Sequence, residues 1–258
     1  MIAAIRSHWG LYLIEAWGLG TFMLVAGVVA ALLAYAPASF SEHALIVRSI
    51  FGLAMGLTAI AIIYSPWGTK SGAHINPAVT ITFLWLGKIA RWDAAFYIAA
   101  QFIGGAIGLA LAALAFPVTL ARPSVNYIVT VPGGTGAATA FAAEFAMTFV
   151  LMTVILYVSN AEQRIARLTG LCAGVLVALY ITLEAPLSGM SLNPARTVAS
   201  AIPAHDWNSI WVYFSAPPLG MLLAALAYTR LHGFAAVRCA KLNHFWNDHC
   251  HFHGRFHR

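Results

Sequence analysis

The segment Ser71-Gly72-Ala73-His74-Ile75-Asn76-Pro77-Ala78-Val79-Thr80 returns, altered, as Ser188-Gly189-Met190-Ser191-Leu192-Asn193-Pro194-Ala195-Arg196-Thr197. Each copy predicts irregular, Gly/Ser-rich chain that stops at Asn and starts a helix with Pro. Asn is a favoured N-cap, and Pro at the first helical position gives up no hydrogen bond that the helix needs. The apolar stretch after each box is short, 77–86 before Gly87 and 194–202 before Pro203. At about 1.5 Å per residue, either helix crosses about half of a bilayer's hydrocarbon core. A helix N-terminus leaves amides unpaired and carries a partial positive charge, so two such ends make a polar, electropositive spot.

Around the boxes lie six apolar runs of spanning length, at 11–35, 46–64, 94–116, 137–158, 168–187 and 210–231. The chain is 61% hydrophobic and only 9% charged, where soluble domains carry about a quarter charged residues. So few charges cannot cover a water-facing surface, and a bilayer is the expected solvent. Irregular backbone at mid-membrane is tolerated only where it is buried in protein or lines a cavity. The net charge of +6 is scattered between the runs, which argues for membrane topology and against nucleic acid. Residues 1–10 hold Arg6, His8 and Trp9, and the run after them is too long for a signal-peptide core. Three cysteines, Cys172, Cys239 and Cys250, predict no disulfide framework.

Lys and Arg set the orientation. With the N-terminus inside, the inner segments hold Arg6, Lys70, Lys88, Arg91, Arg164, Arg167, Arg230, Arg238, Lys241, Arg255 and Arg258, and the outer ones only Arg48 and Arg122. The first half-helix then enters from inside and the second from outside. The halves match in other ways. Gly52 and Gly56 precede Asn76 much as Gly170 and Gly174 precede Asn193, and Glu15 has a counterpart in Glu144. Gly-x-x-x-Gly lets helices approach closely in lipid. The expected fold is an all-α membrane protein of six transmembrane helices and two re-entrant half-helices in an inverted repeat. It forms one domain over 1–231, with halves of about 1–117 and 133–231, followed by a Cys/His-rich tail over 232–258.

The two Asn-Pro-Ala boxes, the inverted repeat and Arg196 resemble the aquaporin and glycerol-facilitator family, nearer its water-channel branch. The resemblance runs from about Leu11 to Leu231. It implies that Asn76 and Asn193, with Pro77, Ala78, Pro194 and Ala195, meet at mid-membrane and donate from both amides to a permeant. It implies an outer filter of Arg196, Met190, Ile181 and either Gly56 or Met55, with Tyr180 in place of Ile181 if the loop is offset. A lone Arg at this depth is functional by default. Strict water channels usually have His where this chain has Ile181, so the filter is expected to be less polar than theirs. Thr197, Ala201 and the Tyr213-Phe214 pair instead resemble the water-channel branch. Glu15 and Glu144 are expected to brace the loops holding Gly72, Ala73, His74, Gly189 and Ser191, whose carbonyls then face the pore. The other reading of these acids is a proton relay. His74 is expected to line the inner pore and Gln101 to hydrogen-bond between helices. Glu184 reads equally as a loop brace or an interfacial residue.

The tail holds Cys239, His244, His249, Cys250, His251 and His253. These have transition-metal ligand chemistry without a recognised spacing, and the alternative is a basic tail lying at the headgroups. The expected function is a passive channel for water and small uncharged solutes, closed to protons and ions, without cofactor or catalysis. A facilitator of glycerol, urea or another neutral solute is the alternative, and a proton-coupled transporter the more distant one. The resemblance also implies a homotetramer. The expected location is a plasma or inner membrane, with both termini cytoplasmic.

Overall fold

The computed structural model describes residues 1–37 and 43–243. Among the described residues six helices are long and apolar enough to cross a membrane: α1 (Ile2–Leu33), α2 (Ala44–Tyr64), α4 (Arg91–Ala115), α5 (Ala137–Ser159), α6 (Thr169–Ser188) and α8 (Ile210–His232). Two short ones, α3 (Pro77–Trp85) and α7 (Pro194–Ala204), follow the boxes. The described residues contain no strand. In each half the first long helix packs along the last, α1 on α4 and α5 on α8, while α2 crosses α6 between the halves. Each half-helix packs on the last helix of the other half, α7 on α4 and α3 on α8. The halves are thereby interlocked.

Small residues set these crossings. A Cβ on Gly104 would stand 2.0 Å from the Ala16 carbonyl oxygen, and one on Gly108 2.0 Å from that of Gly20. Backbone touches backbone there, as lipid-embedded helices allow only with glycine or alanine at the contact. Gly52 and Gly56 do the same on α2, where added Cβ atoms would meet the Ala178 and Gly174 carbonyl oxygens at 2.6 and 2.5 Å.

Two boundaries differ from the sequence reading. Helix α1 begins at Ile2 rather than near Leu11. Its first turns are held by Tyr12, whose hydroxyl donates to Asp93 at 2.6 Å and lies 3.0 Å from the Ala4 carbonyl oxygen, and by the His8–Asp93 contact at 2.9 Å. Helix α7 runs through Pro203 to Ala204, with His205 in the left-handed cap. Proline in the last turn removes one N–H without ending the helix before it.

Candidate functional site

Both boxes fold as the capped starts that Asn-Pro predicts. Asn76 and Asn193 are extended at φ −155° and −148°, and their side-chain oxygens accept from the amides of Ala78, and of Ala195 and Arg196. The side-chain nitrogens reach across the repeat. Asn76 Nδ2 donates to the Leu192 carbonyl and Asn193 Nδ2 to that of Ile75, both at 2.8 Å. The two half-helices therefore meet N-terminus to N-terminus. Each Nδ2 carries two hydrogens, so each Asn keeps one beyond the bond that locks the halves.

The loops before the boxes are built on the two buried acids. Glu15 accepts from Ser71 Oγ (2.8 Å), His74 N (3.1 Å), Ile75 N (2.6 Å) and Gln101 Nε2 (2.9 Å). Glu144 accepts from Ser188 Oγ (2.7 Å), Ser191 N (2.6 Å) and Leu192 N (2.7 Å). Counted from each Asn, the three loop donors of each acid occupy the same positions, and Gln101 is an extra donor to Glu15 alone. The symmetry extends to Tyr97 and Tyr213, whose hydroxyls donate to the Ser71 and Ser188 carbonyls. Left-handed backbone at Gly72, Ala73 and Ile75 is repeated at Gly189, Met190 and Leu192. Ala73, Ile75, Met190 and Leu192 bear Cβ atoms in that region, an arrangement that needs outside restraint. The carboxylates supply it by fixing the amides on one side of each loop.

A cavity of about 580 Å³ runs past these loops. Its wall repeats every fourth residue along α2 (Val47, Phe51, Met55, Ala59, Ile63) and along α6 (Ala173, Val177, Ile181, Ala185). Asn76, Asn193, Arg196, Met190, Ile181, Met55, His74, Ala73, Gly189 and Ser191 all line it. Gly56 does not: it faces α6, and the adjacent Met55 takes the wall. Tyr180 is likewise absent from the wall, and Ile181 is present. Glu15, Glu144 and Gly72 stand behind the lining, as do Pro77, Ala78, Pro194 and Ala195 within the helix starts.

Arg196 is 9% exposed. Its Nη1 donates to the Ile128 carbonyl at 2.9 Å and lies 3.4 Å from Ser200 Oγ. Among the described residues no carboxylate pairs with it. Its counterpart three residues after Asn76 is Val79, which also lines the cavity. The segment joining the halves also builds the site. Ile128 aims the guanidinium, and Thr130 donates to Thr197 at 2.9 Å. Sequence reasoning missed Ile128 because a backbone carbonyl has no residue-type signature. It also missed Phe51, whose four-residue spacing from Met55 could have shown it.

His74 lines the cavity but is bonded on both sides. Nδ1 lies 3.1 Å from Thr80 Oγ1, and Nε2 is 2.7 Å from the Ala240 carbonyl. A carbonyl only accepts, so the proton sits on Nε2. Gln101 joins helices by donating to Glu15 and to Thr80. Glu184 stands in the last turns of α6 with its carboxylate oxygens buried close to Ser188. Of the tail ligands, only Cys239 lies among the described residues. It is disulfide-bonded, which occupies its sulfur. His244, His249, Cys250, His251 and His253 lie outside the described residues.

An interlocked inverted repeat with half-helices abutting at a donor-lined cavity defines a multi-pass membrane channel of one architecture. The family model of the major intrinsic proteins matches residues 6–228. The chain is 37% identical over 173 residues to a probable NIP-type aquaporin of Nicotiana alata, covering 67% of this chain and 62% of that one. It is 38% identical over 174 residues to aquaporin NIP6-1 of Arabidopsis thaliana, covering 67% and 55%. These matches thus span roughly three-fifths of the relatives' own lengths. The aquaglyceroporin of Plasmodium falciparum has the same fold, with a TM-score of 0.75 at 20% identity, over 89% of this chain and 99% of that one. The chain belongs to the major intrinsic protein family of passive membrane channels.

Proposed function

We propose that the chain conducts water together with small uncharged solutes and excludes ions and protons. The observation that carries this is the sparse placement of polar groups along an apolar wall. Asn76 and Asn193 each keep one amide hydrogen on the cavity at the meeting of two positive helix ends, and Arg196 adds a fixed cation beyond them. An oxygen-bearing neutral molecule is offered donors, while a cation meets two helix N-termini and a guanidinium. The Lys/Arg bias favours cytoplasmic termini, and the family resemblance favours a homotetramer with a pore in each subunit.

A preference for glycerol, urea or a similar solute has its own support. Met55, Ile181 and Met190 put aliphatic and thioether groups on the cavity wall with Arg196. The relatives' names point both ways, aquaporin for the plant proteins and aquaglyceroporin for the structural neighbour. Replacing Ile181 with His adds bulk and a donor to the wall. In proteoliposomes, glycerol and urea uptake of Ile181→His is expected to fall several-fold more than water permeability. Equal loss of both would remove Ile181 from the selecting position. A coupled transporter fits poorly, because Glu15 and Glu144 are each held by three or more donors in the loops. Concentrative, proton-gradient-driven uptake would favour it.

A further inference from the structure

The inverted repeat does not end with α8. After the first half's last helix, the chain returns over the loop of the second half. Gly133 N donates to the Leu187 carbonyl, and a Cβ on Gly189 would lie 3.0 Å from Thr130 Cα and 3.3 Å from Val131 N. After the second half's last helix, the chain returns over the loop of the first. Leu242 N donates to the Gly72 carbonyl at 3.1 Å, and a Cβ on Gly72 would lie 3.2 Å from Lys241 Cα and 3.3 Å from the Ala240 oxygen. Gly72 and Gly189 are equivalent positions, and each has φ in the left-handed region. The segment 237–243 is thus the counterpart of the 128–133 segment that aims Arg196 and borders the cavity at Ile128.

This strap is anchored on both halves. Arg238 N donates to Asn160 Oδ1 at the end of α5, and Asn243 Nδ2 donates to Thr69 Oγ1 before the first box. Between them the Ala240 carbonyl holds His74 Nε2. Val237, Ala240 and Leu242 are buried in the same apolar cluster as Ala73 and Tyr228. Leu242 is 4% exposed and is the one residue beyond α8 that lines the cavity among the described residues.

We infer that the strap of residues 237–243 closes the mouth on the terminal side of the protein, with Leu242 as the side chain that limits passage there. This rests on the channel reading above. A strap bonded through its backbone fixes where Leu242 stands, so the size of that side chain sets the opening while the strap stays in place. Its apolar tip offers a passing molecule no hydrogen bond, a wall property that gates by size and dewetting.

The test varies side-chain size in both directions in the full-length chain. Stopped-flow water permeability of proteoliposomes, normalised to reconstituted protein, is expected to rise several-fold in Leu242→Ala and to fall several-fold in Leu242→Trp. Thermal unfolding in detergent separates loss of fold from loss of passage. Changes of the same sign, or no change in either variant while the wild type conducts, overturn the inference and leave the channel reading standing. Wild type and Leu242→Ala both no faster than empty vesicles overturn both.

Discussion

Glu144→Leu is expected to abolish conduction and to lower thermal stability sharply. The Glu144 carboxylate is fully buried and accepts from Ser188 Oγ, Ser191 N and Leu192 N. Leucine keeps the volume and removes every acceptor. A buried donor left unsatisfied costs about 1–3 kcal/mol, and three lose their partner together. The left-handed conformations at Met190 and Leu192 lose the restraint that holds them. Released, the loop turns the Leu192 carbonyl away from Asn76, and the bond between the two half-helices goes with it. Thermal unfolding in detergent and vesicle permeability check this. A variant as stable as the wild type would show that Glu144 is not a brace.

Gly104→Ala is expected to be nearly as damaging, although it adds a single methyl. The new Cβ would fall 2.0 Å from the Ala16 carbonyl oxygen, so α1 and α4 must separate by an ångström or more. Overpacking of this kind costs typically about 1–3 kcal/mol, and here a rigid backbone cannot yield locally. Ala16 follows Glu15, so the separation also moves the carboxylate that carries the first loop. Gly10→Ala is the matched control. Gly10 is helical with nothing within 4 Å of an added Cβ, and alanine there should be neutral or slightly stabilising. Equal melting temperatures for the two variants would mean that α1 and α4 are not held by this contact.

The sequence carried the parts of the fold that depend on residue type. The short apolar stretch after each Asn-Pro announced a half-helix, and the paired acids announced loops that needed acceptors. Helix phase was harder to read. Gly56 and Met55 are adjacent, and a one-residue uncertainty in the loop rotates the wall by about 100° on a helix with 3.6 residues per turn. Only the fit of Gly56 against Gly174 decides which of them faces the cavity. Contacts made through backbone were invisible. Ile128 aims Arg196 by its carbonyl, and Ala240 holds His74 by another. Neither side chain hints at it. The strap was hidden for the same reason: residues 237–243 lack both a long apolar run and a box.

The most direct test is osmotic shrinkage of proteoliposomes holding the full-length chain, followed over a range of temperatures alongside pH equilibration across the same vesicles. A file of water passing two Asn donors and Arg196 predicts shrinkage far faster than empty vesicles, with a weak temperature dependence and no added proton leak. Shrinkage at the empty-vesicle rate in both wild type and Leu242→Ala, or proton flux that rises with water flux, would contradict it.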